Sequence, residues 1–175
     1  MRMIKAFIVG LLGLFFFVWL LSLLIPSNIR TVRTNIITNT SFAEVKQEVF
    51  NLTQWKKWHP VFKSDSTIVN FSADTTKLQF ADVQYKRLKT HIEIERFNDS
   101  SVFFKILTPG ENDISSEIRL TATNNPTIIQ VDWIATTHLK WYPWEKFYGI
   151  FLDKLSGPGY DEALAGLKEY LEKHH

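Results

Sequence analysis

A long apolar run opens the chain. Residues Ala6 to Ile25 contain no charged side chain, and fifteen of these twenty residues are Leu, Ile, Val or Phe. As a helix the run is about 30 Å long, which matches the hydrocarbon thickness of a bilayer. The pattern therefore predicts a transmembrane helix in residues 1–27 that anchors a separate domain in residues 28–175.

Beyond this run, apolar and polar residues alternate with a period of two, as in strands that are buried on one face. The cleanest stretch is residues 88–95, where Ile92 and Ile94 alternate with charged or polar neighbours. Turn signals such as Pro109-Gly110 separate the strands, and the gaps are too short for parallel crossovers. We expect an antiparallel meander of six or seven strands. The same alternation marks residues 32–37, 102–106, 114–120 and 129–135.

Helical spacing appears on both sides of the meander. Ser41 and Glu44 have the spacing of a capping box, which predicts a short helix after the first strand, and a second short helix is expected to end at Trp58. Apolar residues recur every three or four positions in residues 144–171, which predicts a long carboxy-terminal helix, broken or kinked at Pro158. The chain is thus expected to be an α+β protein whose curved sheet wraps around this helix.

An uncleaved anchor is favoured over a cleaved signal peptide. Arg2 and Lys5 form a basic start, but a signal peptide has an apolar region of about 7–15 residues followed by small residues. Here the run is longer and leads through bulky residues to Pro26. The absence of cysteine excludes a lipoprotein. Because Arg30 and Arg33 follow the run, the flanking charges only weakly favour a cytoplasmic amino terminus and an extracytoplasmic domain.

The body of the chain is electrically balanced. Of the 20 basic residues, Arg2 and Lys5 precede the domain, which leaves 18 basic residues against 18 acidic ones. A nucleic-acid-binding protein would carry a basic stripe, and none is visible, so we predict no nucleic-acid partner. A body of this length makes one domain with a sizeable core.

The sequence contains no recognisable catalytic motif. It lacks a G-x-S-x-G elbow, a glycine-rich phosphate loop and the histidine spacings of metal sites, so we predict no catalytic residue, no cofactor and no metal. His59 and His138 fall where either would reach the mouth of a cavity. The alternation places His91 and the carboxylate of Asp132 on the wet face of the sheet instead.

Several aromatic and turn motifs follow one another in a definite order between residues 29 and 172. They are Trp55-x-x-Trp58-x-Pro60, the meander, Pro143-Trp144-x-x-Phe147, Phe151-Leu152-Asp153-Lys154, Gly157 and Leu164-x-x-Leu167-Lys168. In this order the chain resembles the START-related SRPBCC superfamily, and most of all its polyketide cyclase/dehydrase-like, membrane-anchored bacterial members. The resemblance implies a helix-grip fold with an apolar cavity between the sheet and the long helix.

The bulky apolar residues of the inner faces supply the candidate site, because ligand pockets are lined by such residues with a few polar groups. The membrane interface is an alternative location for Trp141, Tyr142 and Trp144, because amphipathic aromatic residues are favoured there. We predict that the cavity is lined by Trp58, Phe62, Phe80, Ile92, Phe104, Ile118, Trp133, Phe147 and Phe151.

Three functions stay open, because the superfamily includes lipid carriers, hormone receptors, cyclases and chaperone activators. The leading hypothesis is a membrane-tethered protein that binds a hydrophobic small molecule or lipid. A cyclase or dehydratase acting on a polyketide-like substrate is the second, and it requires a buried titratable group. The third is a protein-interaction module like the chaperone activators, which a fully packed interior would favour.

Overall fold

The computed structural model describes residues 2–72 and 79–173, which form an amino-terminal helix and an α+β domain. The helices are α1 (Arg2–Ser22), α2 (Phe42–Phe50), α3 (Trp55–Trp58), α4 (Pro60–Lys63), α5 (Pro143–Gly149) and α6 (Leu152–Lys173), with a 3-10 turn at Leu52–Gln54. The strands are β1 (Asn28–Thr38), β2 (Thr67–Phe71), β3 (Phe80–Tyr85), β4 (Leu88–Phe97), β5 (Ser101–Leu107), β6 (Ile114–Ala122) and β7 (Ile128–His138).

The strands form one antiparallel sheet in the order β1-β7-β6-β5-β4-β3-β2. The run from β2 to β7 is a meander, and β1 closes it by pairing with β7 from Asn28 opposite His138 onward. A register shift between Ile94 and Arg96 marks a bulge in β4, and bulges of this kind bend a sheet. The antiparallel meander expected from the alternation is therefore confirmed.

The period of two also assigns the two faces of the sheet correctly. Trp133 on β7 is buried, and its neighbour Asp132 lies on the outer face. There the Asp132 carboxylate accepts a hydrogen bond from Thr34 Oγ1 at 2.6 Å. Asp132 is thus directed away from the interior, as its position between two apolar residues predicts.

The helix after β1 begins with the capping box that the sequence indicates. Ser41 Oγ accepts a hydrogen bond from the backbone N–H of Glu44 at 3.3 Å, and the Glu44 carboxylate accepts one from the Ser41 backbone N–H at 2.8 Å. This cap fixes the start of α2, which buries Val45 and Val49 against the sheet side of the domain.

The carboxy-terminal helix differs from the sequence prediction at Pro158. Helix α6 runs without a break from Leu152 to Lys173 and contains Pro158, whereas the interruption lies at Ile150 and Phe151, between α5 and α6. Proline removes one hydrogen bond of the helix. Gly157 before it and Ala163 after it are both buried, so α6 packs against the domain on both sides of the proline.

Helix α6 is fastened to β1 at both ends. In the first half of α6, Asp153 Oδ1 and Asp161 Oδ2 accept hydrogen bonds from the Arg33 side chain at 3.0 and 3.1 Å. At its far end, the backbone N–H and hydroxyl of Thr38 donate to Glu172 Oε1 at 3.0 and 2.6 Å. These hydrogen bonds hold the pKa values of Asp153 and Glu172 below their usual range. They fix α6 across the sheet beside β1.

The core lies between the sheet and the helices α2, α3 and α6. It is built mainly from inward strand residues and from two tryptophans of α3. Its largest fully buried side chains include Trp55, Trp58, Trp133, Phe104, Ile37, Leu52, Ile94, Ile118, Ile129, Leu164 and Leu167.

Helix α1 is long and apolar enough to cross a membrane, judged by its length and composition. Its side chains are exposed from Arg2 to Phe17, whereas Val18 and Trp19 are half-buried. Ser22 is buried, and its hydroxyl donates to the carbonyl of Trp19 at 2.7 Å. β1 begins six residues after α1 ends, so the helix joins the domain through a short connection.

Candidate functional site

A cavity of about 330 Å³ lies between the inner face of the sheet, the α3–α4 corner and the first half of α6. Three of its lining residues, Val61, Leu88 and Gly159, are exposed and form its mouth. The others lie deeper. Within the part of the chain that the structure describes, the lining residues are Trp55, His59, Val61, Phe62, Val83, Tyr85, Leu88, Thr90, Ile92, Ile106, Trp133, Ser156, Gly159 and Tyr160.

The strands supply an apolar wall because their inward positions carry apolar residues. Ile92 on β4 pairs directly with Ile106 on β5, and Val83 on β3 pairs with Thr90 on β4. Thr90 precedes Ile92 on the same face, and its hydroxyl is hydrogen-bonded to that of Thr108 at 3.0 Å. Strand β4 therefore presents a largely apolar surface to the cavity.

His59 stands at the α3–α4 corner, inside a group of aromatic rings. It is the last residue before Pro60, where extended backbone is favoured, and it has φ −78° and ψ 122°. Its ring is parallel to that of Trp55, with 4° between the planes and 5.5 Å between the centroids. Phe62 and Trp133 lie at centroid distances of 5.1 and 5.9 Å. The imidazole is therefore enclosed by three aromatic lining residues.

Two polar atoms of the lining residues, Nδ1 of His59 and Nε1 of Trp133, are buried without a hydrogen-bond partner among residues 2–72 and 79–173. The other core indoles differ: Trp55 Nε1 donates to the Val49 carbonyl at 2.9 Å, and Trp58 Nε1 donates to the Glu48 carbonyl at 3.2 Å. A buried polar atom without a partner costs about 1–3 kcal/mol. A polar group of a ligand that formed a hydrogen bond with either atom would remove this cost.

Two titratable side chains of the cavity, His59 and Tyr160, are uncharged near neutral pH. Burial lowers the pKa of His59 to about 4 and raises the pKa of Tyr160 to about 12, because each charged form would lose its water. The Tyr160 ring lies 5.2 Å from that of Trp133. The cavity therefore offers neutral hydrogen-bonding groups within an apolar wall.

The structure brings three of the nine predicted residues to this cavity, namely Phe62, Ile92 and Trp133. Trp58, Phe104 and Ile118 are buried in the core outside the lining.

The remaining three lie elsewhere. Phe80 is on the outer face of β3, 5.5 Å from the His91 ring, because its inward neighbours are Ala81 and Val83. Phe147 is half-buried on α5 and Phe151 is exposed between α5 and α6, so both lie beyond the part of α6 that lines the cavity.

The three histidines considered in the sequence analysis lie in three different places. His59 lines the cavity, as its position at the corner indicated. His138 does not, since its ring nitrogens are hydrogen-bonded to Ser115 and Asn28, both at 3.0 Å. His91 is on the outer face and lies 2.7 Å from Asp82.

Sequence reasoning missed the part of the site that α6 contributes. Ser156, Gly159 and Tyr160 all line the cavity, but the Gly157-Pro158-Gly159 segment reads as a helix interruption. The usable signal was Tyr160 itself, which continues the apolar helical spacing toward Ala163 and Leu164.

A larger depression of about 790 Å³ lies over β3, β4 and the β5–β6 connection. Its lining includes Asp82, Lys89, His91, Glu111 and Asp113, so it is a polar and charged surface, unsuited to an apolar ligand. Within residues 2–72 and 79–173, no group of three or more His, Asp or Glu side chains is arranged to hold a metal ion.

No protein-family model and no curated protein matches the sequence. Solved structures do match. A START superfamily protein from Mycobacterium smegmatis aligns with a TM-score of 0.62 at 11% identity, over 84% of this chain and 99% of that one. The protein XoxI from Bacillus cereus aligns with a TM-score of 0.61 at 17% identity, over 84% and 99%.

A third match is the di-domain ARO/CYC protein StfQ from the steffimycin biosynthetic pathway. It has a TM-score of 0.63 and 10% identity, and the match covers 83% of this chain and 52% of that one. Together with the sheet order and the position of α6, these matches show that the chain has the helix-grip fold of START-like, SRPBCC-type proteins. At these identities the likeness concerns the fold.

Proposed function

We propose that this protein is a membrane-tethered binding protein that holds a hydrophobic, lipid-like small molecule between the sheet and α6. The observation that carries the proposal is an apolar cavity in which two buried polar atoms, His59 Nδ1 and Trp133 Nε1, lack partners. A ligand with a long apolar part and one uncharged polar group suits both features.

The size and the mouth of the cavity constrain the ligand. A volume of about 330 Å³ falls at the lower end of the range for small-molecule sites, about 300–1,000 Å³. Val61 and Leu88 at the mouth are apolar and exposed, so a long chain has apolar contacts as it leaves the cavity. We expect one end of the ligand inside and the rest along the mouth.

The neutral state of the cavity favours an uncharged polar group on the ligand. With a pKa of about 4, His59 carries no positive charge at pH 7 and offers no counter-ion to a carboxylate. Burying a carboxylate without a partner is costly, whereas a hydroxyl or an ester needs only a hydrogen bond. Long-chain alcohols, isoprenoid alcohols and esters are therefore expected to bind better than fatty acids.

The tether is the second part of the proposal. Helix α1 has the length and composition of a membrane span, and a protein so anchored meets hydrophobic ligands in the bilayer rather than in solution. The flanking charges, with Arg2 and Lys5 before the helix and Arg30 and Arg33 after it, weakly favour an extracytoplasmic domain.

A cyclase-like enzyme is the second candidate, and the observation that favours it is the presence of His59 and Tyr160 in the cavity. Acid–base catalysis works best when the pKa of the catalytic group lies near the operating pH. Values of about 4 and about 12 lie far from neutrality on both sides, so binding is the better supported function. The open cavity also counts against a pure protein-interaction module.

Native mass spectrometry of the full chain, released from nanodiscs of phosphatidylethanolamine and phosphatidylglycerol, tests the proposal. Hexadecanol and palmitate serve as probes of equal chain length that differ in charge. The informative variant is Gly159→Trp, because Gly159 lines the mouth and a Cβ added there meets no heavy atom within 4 Å. Gly159→Ala is the matched control.

We expect one hexadecanol retained per wild-type chain, the same for Gly159→Ala, and clearly less for Gly159→Trp and for palmitate. Equal retention by wild type and Gly159→Trp would show that the alcohol is held outside the cavity. Empty protein under all conditions would reject the binding function.

A further inference from the structure

Four large apolar residues remain exposed where the chain passes from α5 into α6. Trp144, Tyr148, Phe151 and Leu155 recur every three or four positions across the junction of the two helices and are 64%, 48%, 56% and 59% exposed. We call these four residues the apolar stripe. Exposed apolar residues arranged as a continuous patch, rather than scattered singly, mark an interaction surface.

The stripe begins beside α1. A groove of about 410 Å³ separates the second half of α1 from the loop that leads into α5, and apolar and aromatic side chains line both sides. On the loop side, the rings of Tyr142 and Trp144 are stacked at 5.0 Å. The lining consists of Leu12, Phe15, Phe16, Trp19, Trp141, Tyr142, Pro143 and Trp144.

Lys146 fixes α5 to the chain that leaves α1. Its ammonium group is buried and donates hydrogen bonds to the carbonyl of Ile25 at 3.3 Å and to the hydroxyl of Ser27. A buried, hydrogen-bonded charge is a specific attachment, since removing its partners is costly. The stripe therefore has a defined position relative to the end of α1.

This position sets the depth of the stripe if α1 crosses a bilayer. Trp19 lies three residues and Leu12 ten residues before the end of α1 at Ser22, which is about 5 and 15 Å along the helix axis. The loop on the other side of the groove, with Trp141 and Trp144, then lies at the level of the leaflet. Tryptophan and tyrosine are favoured at that level because their rings are apolar and their N–H and O–H groups are polar.

The other end of the stripe reaches the cavity. Leu155 directly precedes Ser156, and Gly159 at the mouth follows one helical turn later. The acidic residues of the same segment are bound to the domain: Asp153 pairs with Arg33 at 3.0 Å, and Glu145 accepts a hydrogen bond from Asn112 at 2.7 Å. They place no unpaired negative charge between the stripe and a lipid surface.

We propose that the apolar stripe lies in the interfacial region of the leaflet next to α1, so that the mouth of the cavity opens onto the membrane. The occupant of the stripe is the lipid leaflet, because the stripe is continuous with the membrane-spanning helix through the α1–α5 groove. The role of the stripe as a route for the ligand rests on the ligand binding proposed above, whereas its position in the leaflet rests only on the proposed tether through α1.

The absence of cysteine from the chain allows a direct test by single-cysteine spin labelling. Phe151→Cys and Leu155→Cys place labels on the stripe, and Ile68→Cys and Phe97→Cys are matched controls at residues that are equally exposed, both 60%. All four side chains are exposed, so the substitutions leave the core intact. The full chain is placed in vesicles of phosphatidylethanolamine and phosphatidylglycerol.

The measurement compares the collision rates of each label with oxygen, which concentrates in lipid, and with a water-soluble nickel complex. We expect a several-fold higher oxygen-to-nickel ratio at positions 151 and 155 than at positions 68 and 97. Equal ratios at all four positions would show that the stripe lies outside the lipid and would overturn the proposal.

Ligand retention, measured on the same proteins by mass spectrometry, separates the two proposals. Stripe labels at lipid depth support the membrane position even where no alcohol is retained. Stripe labels in water overturn it even where the alcohol is retained.

Discussion

The backbone carbonyl of Trp58 lies where a side chain at Gly166 would have to stand. A Cβ added at Gly166 would be 2.3 Å from the Trp58 oxygen, well inside contact distance. Gly166 therefore lets α6 approach the corner that carries His59. Helix α6 supplies one wall of the cavity, and the corner with His59 supplies another. The distance between α6 and this corner therefore sets the width of the cavity.

The first prediction concerns this contact. Gly166→Ala should lower the free energy of unfolding by about 1–3 kcal/mol, because a backbone carbonyl cannot move aside without shifting the corner. Gly159→Ala, on the same helix, should raise it by about 0.5–1 kcal/mol, because its Cβ meets nothing within 4 Å and alanine suits a helix better than glycine. Denaturant unfolding of the full chain in micelles, followed by tryptophan fluorescence, measures both. Equal effects of the two substitutions would contradict the close approach.

The second prediction concerns pH. The pKa of His59 is about 4 in the folded protein and about 6.5 in an unfolded chain, so the unfolded chain binds more protons between these values. The neutral histidine thus contributes stability that is complete above about pH 6.5 and is lost as the pH falls toward 4. A shift of this size corresponds to ~3 kcal/mol.

The control for this pH dependence is His59→Phe, which keeps an aromatic ring in the cage but does not titrate. Its free energy of unfolding should change much less between pH 6.5 and pH 4.5 than that of the wild type. His91→Gln changes a histidine on the outer face. Its free energy of unfolding should still fall between pH 6.5 and pH 4.5, because His59 is unchanged. A wild type with no loss over this range would mean that His59 is not enclosed as described.

The third prediction concerns the link between α1 and α5. Lys146→Met removes the hydrogen bonds to Ile25 and Ser27, and a hydrogen bond that involves a charged group contributes about 1.5–3 kcal/mol. Backbone amides of α5 should therefore exchange with deuterium about tenfold faster or more in the full chain. Lys140→Met, at a nearby exposed lysine, should leave exchange unchanged. Unchanged exchange in Lys146→Met would show that this lysine does not fasten α5.

Much of the fold could be predicted because it follows from local patterns. The alternation along β4 and β7 predicts these strands and their buried faces. The spacing of Ser41 and Glu44 predicts the start of α2. The continuous path of α6 through Pro158 could not be predicted, because packing on both sides of the proline outweighs its local preference.

The site was harder to predict, because lining a cavity is a property of three-dimensional placement. Phe80 and Ile92 are both bulky apolar strand residues, yet only Ile92 lies on the inner face. Gly159 and Gly166 contribute through the absence of a side chain, which no pattern of apolar residues reveals. The position of His59 before Pro60 predicts that it lies near the mouth of the cavity. The aromatic rings that enclose it can be identified only from the structure.

The central claim is that a hydrophobic ligand occupies the cavity, and photochemical cross-linking tests it most directly. The full chain in nanodiscs is irradiated with a hexadecanol analogue that carries a diazirine in its chain, and the modified peptides are identified by mass spectrometry. We predict adducts in residues 59–62, 83–92 and 156–160, competed by excess hexadecanol. Adducts confined to residues 6–25, with none on the cavity lining, would contradict the account.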